Sequence, residues 1–274
     1  MKSMATDTPT QNPPEQAQEN AGQQPTRINL GEVVNKYLDG LQRVYDVINY
    51  TLAAERLLNE QEYDEYSRSS RVMPSQKSRL SYDEAKEEMQ TWLLKQTLNE
   101  SLGLLTLFLD DCRTISGISK WKADENRKEE EIQKLLNEER GEFLRLDLVK
   151  KIDFLQDKYA LKSESTDHIK SLYRARLALA NNKGVVTENE TGGADEKLSV
   201  KMRSVRLSSS PSSGQEGVLV KSEVGDIDRE FGVGEKIRFS KNEHISSILT
   251  VAFFITSQAQ SLKEYATKLG VIKN

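Results

Sequence analysis

A chain of 274 residues, 36% hydrophobic and 30% charged, can bury a substantial core under a polar surface, which excludes a membrane-embedded bundle and a wholly disordered chain. Its 39 basic and 43 acidic residues leave a net charge of −4, so no global field marks it for DNA, although a local basic patch is compatible with that balance. The single Cys112 excludes an internal disulfide and every multi-cysteine zinc pattern, and two histidines, His168 and His244, leave little for a His-rich metal site. The expectation is a reducing, cytoplasmic setting with no metal and no cofactor.

Residues 1–28 are rich in Gln, Pro, Thr and Asn and hold no apolar stretch that would serve as a secretion signal. They cannot bury enough apolar surface to offset ordering, so a disordered tail is predicted. The first helix is written in Leu30, Val33, Tyr37, Leu41, Val44, Ile48 and Leu52, which recur at three- and four-residue spacing. The pattern dissolves near Asn59, and the polar stretch with Ser67-Arg68-Ser69-Ser70 and Pro74 reads as a loop. Ser81-Tyr82-Asp83-Glu84 is a capping box that opens a second helix. That helix is apolar nearly all round from Leu102 to Leu109, a central position, and Ser116-Gly117 is expected to end it.

A third helix begins with the charged run Arg127–Glu131, read as a solvated face, and turns amphipathic through Tyr159, with Gly141 as the expected kink or break. A fourth runs from about Ser165 to Asn182. The period then changes to two: Leu198, Val200 and Met202, then Val218 and Val220, then Ile237 and Phe239, separated by Gly and Ser clusters. Two or three short strands follow, with a bulge or strand end between Met202 and Val205. Ser240-Lys241-Asn242-Glu243 is a second capping box, opening a last helix to Leu269. Its most apolar run, Ile245–Ile255, is shorter than the roughly 20 residues of a bilayer span, so a core helix and no membrane are expected. The predicted fold is mainly α: an up-and-down bundle of four to five long helices over residues 29–272 as one domain, with a small antiparallel β excursion at about 197–239.

The stretch Arg176-Leu177-Ala178-Leu179-Ala180-Asn181-Asn182-Lys183-Gly184-Val185-Val186 ends a helical pattern on a turn. On a helical wheel Ile169, Leu172, Tyr173, Leu177 and Ala180 share one side with Arg176 among them, while Arg174 and Asn181 lie together on a flank. An arginine on an apolar arc needs a partner. An internal salt bridge and a polar groove at a dimer seam both supply one.

The stretch resembles the signature helix of bacterial HEPN-like proteins, in which Arg-Asn, three residues and His are followed by Asn, a variable residue, Gly and two aliphatics. Arg176, Asn182, Gly184, Val185 and Val186 match; Leu177 stands in place of the Asn and Asn181 in place of the His. The order of His168–Arg176, the strands, Phe231–Ile237 and the final helix extends the resemblance over residues 30–272 to an uncharacterised bacterial branch. In active relatives the resemblance implies a metal-independent ribonuclease built by two such helices at a dimer seam, the Arg contacting phosphate and the His moving protons. Asn181 carries an amide that binds but does not titrate in that role. The expectation is therefore a catalytically degenerate binding or interaction module in a defence or toxin–antitoxin setting, with no catalytic residue assigned. It would be a homodimer through the motif helix, with Arg174, Arg176, Asn181 and Asn182 as contacts to RNA phosphate or a partner protein. The alternative is an active ribonuclease whose proton-transfer group has moved to His168, about 12 Å along the helix from Arg176, or to His244.

No phosphate-binding glycine loop, zinc-protease pattern or nucleophile elbow is present. Gly225-Asp226-Ile227-Asp228 reads as a turn rather than a metal loop, and Lys201, Arg203, Arg206 and Lys221 as a solvated strand face rather than a nucleic-acid patch.

Overall fold

The computed structural model describes residues 29–69, 80–123, 129–191, 193, 196–211 and 218–271; the expected tail at 1–28 lies outside them. The chain is mainly helical, with eight helices and one two-stranded sheet among the described residues. The helices are α1 (Leu30–Glu55), α2 (Glu60–Ser69), α3 (Tyr82–Lys122), α4 (Glu129–Leu144), α5 (Leu148–Tyr159), α6 (Thr166–Asn181), α7 (Glu188–Thr191) and α8 (Lys241–Lys268). The strands β1 (Leu198–Pro211) and β2 (Val218–Phe231) form an antiparallel hairpin before α8.

Both capping boxes form. Ser81 and Glu84 exchange side-chain and backbone hydrogen bonds at the start of α3, as Ser240 and Glu243 do at the start of α8. α3 is the central post, packed by α1, α4, α5, α6 and α8. Leu98, Leu102, Leu105, Phe108 and Leu109 are its buried seam; each such side chain contributes roughly 1.5–3 kcal/mol by leaving water. α8 lies across α1, α3, α6 and β1. Among the described residues it is the one helix long and apolar enough to cross a membrane, and more than half of that stretch is buried within the fold, as in a core helix.

The hairpin is held to the bundle by β1. Leu198, Val200 and Met202 point inward and are fully buried. On the strand's unpaired edge, the Lys201 N–H donates to Ser171 Oγ of α6 at 2.9 Å and the Arg203 N–H to Thr250 Oγ1 of α8 at 2.7 Å. Two helix hydroxyls thus take the place of a third strand, which removes a sticky edge.

The structure corrects several expected boundaries. The stretch read as a loop after Asn59 is helical as far as Ser69, because Asn59 Oδ1 accepts from the Glu62 N–H at 3.0 Å and Glu62 answers at the Asn59 N–H; Ser70 and Pro74 lie outside the described residues. Gly117 does not end α3. It lies inside the helix where a Cβ would sit 2.7 Å from Leu136 Cδ2, so its bareness lets α3 approach α4.

Gly141 is not the break either, since it lies within α4 in open space. The chain turns at Arg145–Asp147, where the Asp147 carboxylate caps α5 through the Lys150 N–H at 2.9 Å. Of the charge run, Arg127 and Lys128 lie outside the described residues. The two strands are long and their register is unbroken: Met202 faces Ile227 and Val205 faces Val224, with no bulge between. The Gly225–Asp228 segment is mid-strand rather than a turn, and Ile237 and Phe239 form no strand, only the bridge Val185–Lys236 beside them.

Candidate functional site on the motif-bearing helix

α6 ends where its backbone must reverse. The N–H groups of Asn182 and Gly184 both return to the Ala178 carbonyl, at 2.9 and 3.0 Å. Lys183 and Gly184 take φ of 52° and 83°, left-handed values that glycine tolerates and lysine does not favour. The turn then bonds into the loop after β2: Val186 N–H to Glu235 O, Gly234 N–H to Val186 O and Ile237 N–H to Gly184 O, all within 2.9 Å. The Asn182 amide donates to the buried Glu190 carboxylate at 3.3 Å, which also accepts from the Thr187 N–H and hydroxyl. Asn182 is therefore committed to holding the turn.

Arg176 is half-buried at the margin of the buried face, which runs through His168, Ile169, Leu172, Ala175, Ala178 and Leu179; of the expected apolar side, Ala180 is exposed and Leu177 only partly buried. Its Nε donates to Asn99 Oδ1 of α3 at 2.8 Å, and its guanidinium lies 5.9 Å from the Tyr173 ring centre. No carboxylate pairs with it among the described residues, so the expected internal salt bridge is replaced by an amide. A neutral partner leaves the positive charge uncompensated.

Arg174 and Asn181 are exposed, on the flank where the wheel places them. With Asp167, Lys170 and Leu177 they form one stripe at three-, four- and seven-residue spacing. Asp167, Lys170, Arg174 and Leu177 of this stripe floor a groove of about 600 Å³ between α5 and β1, walled by Val149, Tyr173, Ser199 and Lys201. Lys170 is paired with Asp153 at 2.7 Å. Arg174 and Lys201 have no ion-pair partner among the described residues, so two cations face the groove with their charge available.

The expected basic set on the hairpin does not assemble into one patch. Strand alternation puts Lys201 and Arg203 on the face opposite Arg206. Arg203 is engaged by Asp226 at 3.1 Å and Glu164 at 3.9 Å; the side chain of Lys221 lies outside the described residues.

Neither histidine approaches Arg176. His168 is buried at the start of α6, and its Nε2 lies 3.3 Å from Asp226 Oδ1 of β2 while its Nδ1 has no partner. His244 packs on Thr97 of α3, its Nδ1 3.3 Å from the hydroxyl. Thr97 and Asn99 are two residues apart, about 200° round the helix, so His244 and Arg176 attach to nearly opposite sides of α3. Burial, partly countered by Glu243, lowers His244 to about 4. Among the described residues no three His, Cys, Asp or Glu side chains are grouped to hold a metal ion. Sequence reasoning found Arg174 but not the role of Lys201 in the groove, because a strand contact to α6 leaves no local pattern.

Comparison with protein-family models, with curated proteins and with solved structures gives no match in any of the three.

Proposed function

We propose that this chain is a non-catalytic, HEPN-like binding module that takes the phosphates of a single-stranded RNA along the outward stripe of α6. The observation that carries the reading is the pair of unpartnered cations, Arg174 and Lys201, on one groove. Phosphate contacts of this kind supply affinity and salt dependence without sequence preference. Asn181 extends the stripe toward the turn with an amide that can donate to a phosphate oxygen. Arg176 and Asn182, by contrast, serve the fold through Asn99 and Glu190. In active relatives the resemblance gives proton transfer to a His at the place of Asn181, and both histidines of this chain are engaged elsewhere, His168 beside Asp226 and His244 beside Thr97. The dimer implied by the family resemblance would set two such stripes in one seam.

Anisotropy of a fluorescein-labelled single-stranded RNA tests the reading. Arg174→Ala and Lys201→Ala should each weaken binding and together flatten the dependence on salt, by a slope of about 0.7 for every phosphate no longer neutralised. Equal binding by the double variant would overturn it. The same RNA should stay intact over hours, and cleavage lost on His168→Ala or His244→Ala would restore the ribonuclease. Sedimentation velocity reads the dimer separately.

A further inference from the structure

A second cavity, of about 560 Å³, opens on a different side of the molecule, where the end of α1, the first turns of α3 and the start of α8 meet. Its apolar wall includes Leu52, Leu93 and Phe239. Its polar lining divides into groups that are satisfied and groups that are not. Glu55 accepts from Gln90 at 2.9 Å and lies 3.7 Å from the Lys86 ammonium, so these three answer one another. Arg56 and Lys241 line the same cavity and pair with no carboxylate among the described residues.

His244 is the decisive group. It is only 3% exposed, yet it lines this cavity. The Thr97 hydroxyl spends its one proton on the Leu93 carbonyl at 2.8 Å. Its oxygen can then only accept from His244 Nδ1, so Nδ1 carries the ring proton. Nε2 is left as a lone-pair acceptor, and no donor of the chain reaches it among the described residues. Nε2 is not among the side-chain atoms sealed from solvent, so a donor from outside the chain can reach it through the cavity.

The surroundings specify that ligand. Lys241 and Asn242 open α8, a 28-residue helix; Ser240 and Glu243 satisfy each other in the capping box, and the Lys241 and Asn242 N–H groups at the positive end of the helix have no partner among the described residues. Lys241 and His244 are three residues apart, about 4.5 Å along the axis. That separation fits an anionic group and a hydroxyl joined by a short carbon chain.

We propose that this cavity binds a small organic phosphate ester bearing a free hydroxyl. The phosphate lies against the start of α8 with Lys241 and Arg56, the hydroxyl donates to His244 Nε2, and the carbon skeleton covers Leu93 and Phe239. The site is independent of the α6 groove, and its failure would leave the RNA-binding reading untouched.

The test uses the full chain labelled with 15N-histidine and two-bond proton–nitrogen spectra, with glycerol 3-phosphate as the probe. The free protein should show His244 as the Nδ1–H tautomer. Addition of the probe should shift Nε2 saturably and leave the His168 ring unmoved, whereas glycerol alone should shift neither ring. Lys241→Gln, an exposed substitution that keeps the fold, should weaken the probe by about tenfold while the spectrum of the free protein is unchanged. An Nε2–H tautomer, a probe response absent at His244, or unaltered affinity in the Lys241 variant would each overturn the proposal.

Discussion

The buried His244 makes the stability of this protein depend on pH in a way that can be calculated. Burial lowers its imidazole from 6.5 to about 4, the nearby Glu243 carboxylate offsetting part of the effect. A ring with a lower pKa folded than unfolded takes up a proton on unfolding, so acid favours the unfolded chain. The loss of stability begins as pH falls through 6.5, continues to 4, and is complete below it. At 1.36 kcal/mol per unit, the whole window is worth about 3 kcal/mol, and the part between pH 7 and pH 4.5 about 2 kcal/mol. Urea unfolding of the wild type and of His244→Gln at both pH values isolates the effect. Carboxylates contribute equally to both proteins, whereas only the wild type carries the ring. The wild type should lose about 2 kcal/mol more than the variant on acidification. Parallel pH dependence in the two proteins would refute the assignment of His244 as a buried neutral ring, and a wild type gaining stability in acid would reverse its sign.

Glu139 gathers Arg113, Lys158 and Tyr159 and so ties α3, α4 and α5 together. Burial would raise its carboxyl, but the hydrogen bonds from Lys158 and Tyr159 and the Arg113 charge hold it below the usual range. Glu139→Gln should therefore lower the urea midpoint by the equivalent of about 3 kcal/mol at pH 7, because Arg113, with a side chain 3% exposed, would lose its counter-charge. The deficit should shrink as the wild-type carboxylate is itself protonated in acid. Ala160 caps α5 at φ 55°, a conformation that costs an L-residue about 1 kcal/mol, so Ala160→Gly should raise Tm by a few degrees in calorimetry. Ser171→Ala or Thr250→Val should each cost about 1–2 kcal/mol, and hydrogen exchange should quicken at the Lys201 amide in the first and at Arg203 in the second.

What could be read from the sequence follows the range over which each feature is determined. Ser81 and Ser240 start their helices through contacts only three residues long, and both starts were foreseeable. Asn59 and Glu62 make a similar local exchange, but α2 carries little apolar periodicity, and the weak stripe hid the cap. The glycines misled for a tertiary reason. Gly117 is bare because α4 passes against it, and Gly141 is tolerated within a helix whose end is instead fixed by the Asp147 cap. The hairpin's alternation was visible at Leu198, Val200 and Met202. Its length was not, because Ser204 and Gly225, opposite each other, interrupt the apolar pattern without interrupting the ladder.

The motif helix shows the same division within one site. A helical wheel assigns relative faces, so it set Arg174 and Asn181 together on a flank and Arg176 among apolar neighbours, although Ala180, set with them, is exposed. It cannot assign partners, which come from α3, α7 and β1. Asn99 and Glu190 draw Arg176 and Asn182 into the fold, whereas Lys201 brings a second cation to Arg174. Arg176 and Asn182, on which the proposed resemblance rests, are thus residues the fold itself employs. Arg174, on the neighbouring flank, and Lys201 of β1 have no side-chain partner among the described residues. Truncating Arg176 should therefore register first in stability and truncating Arg174 first in binding, and that separation gives the proposed RNA groove its physical content.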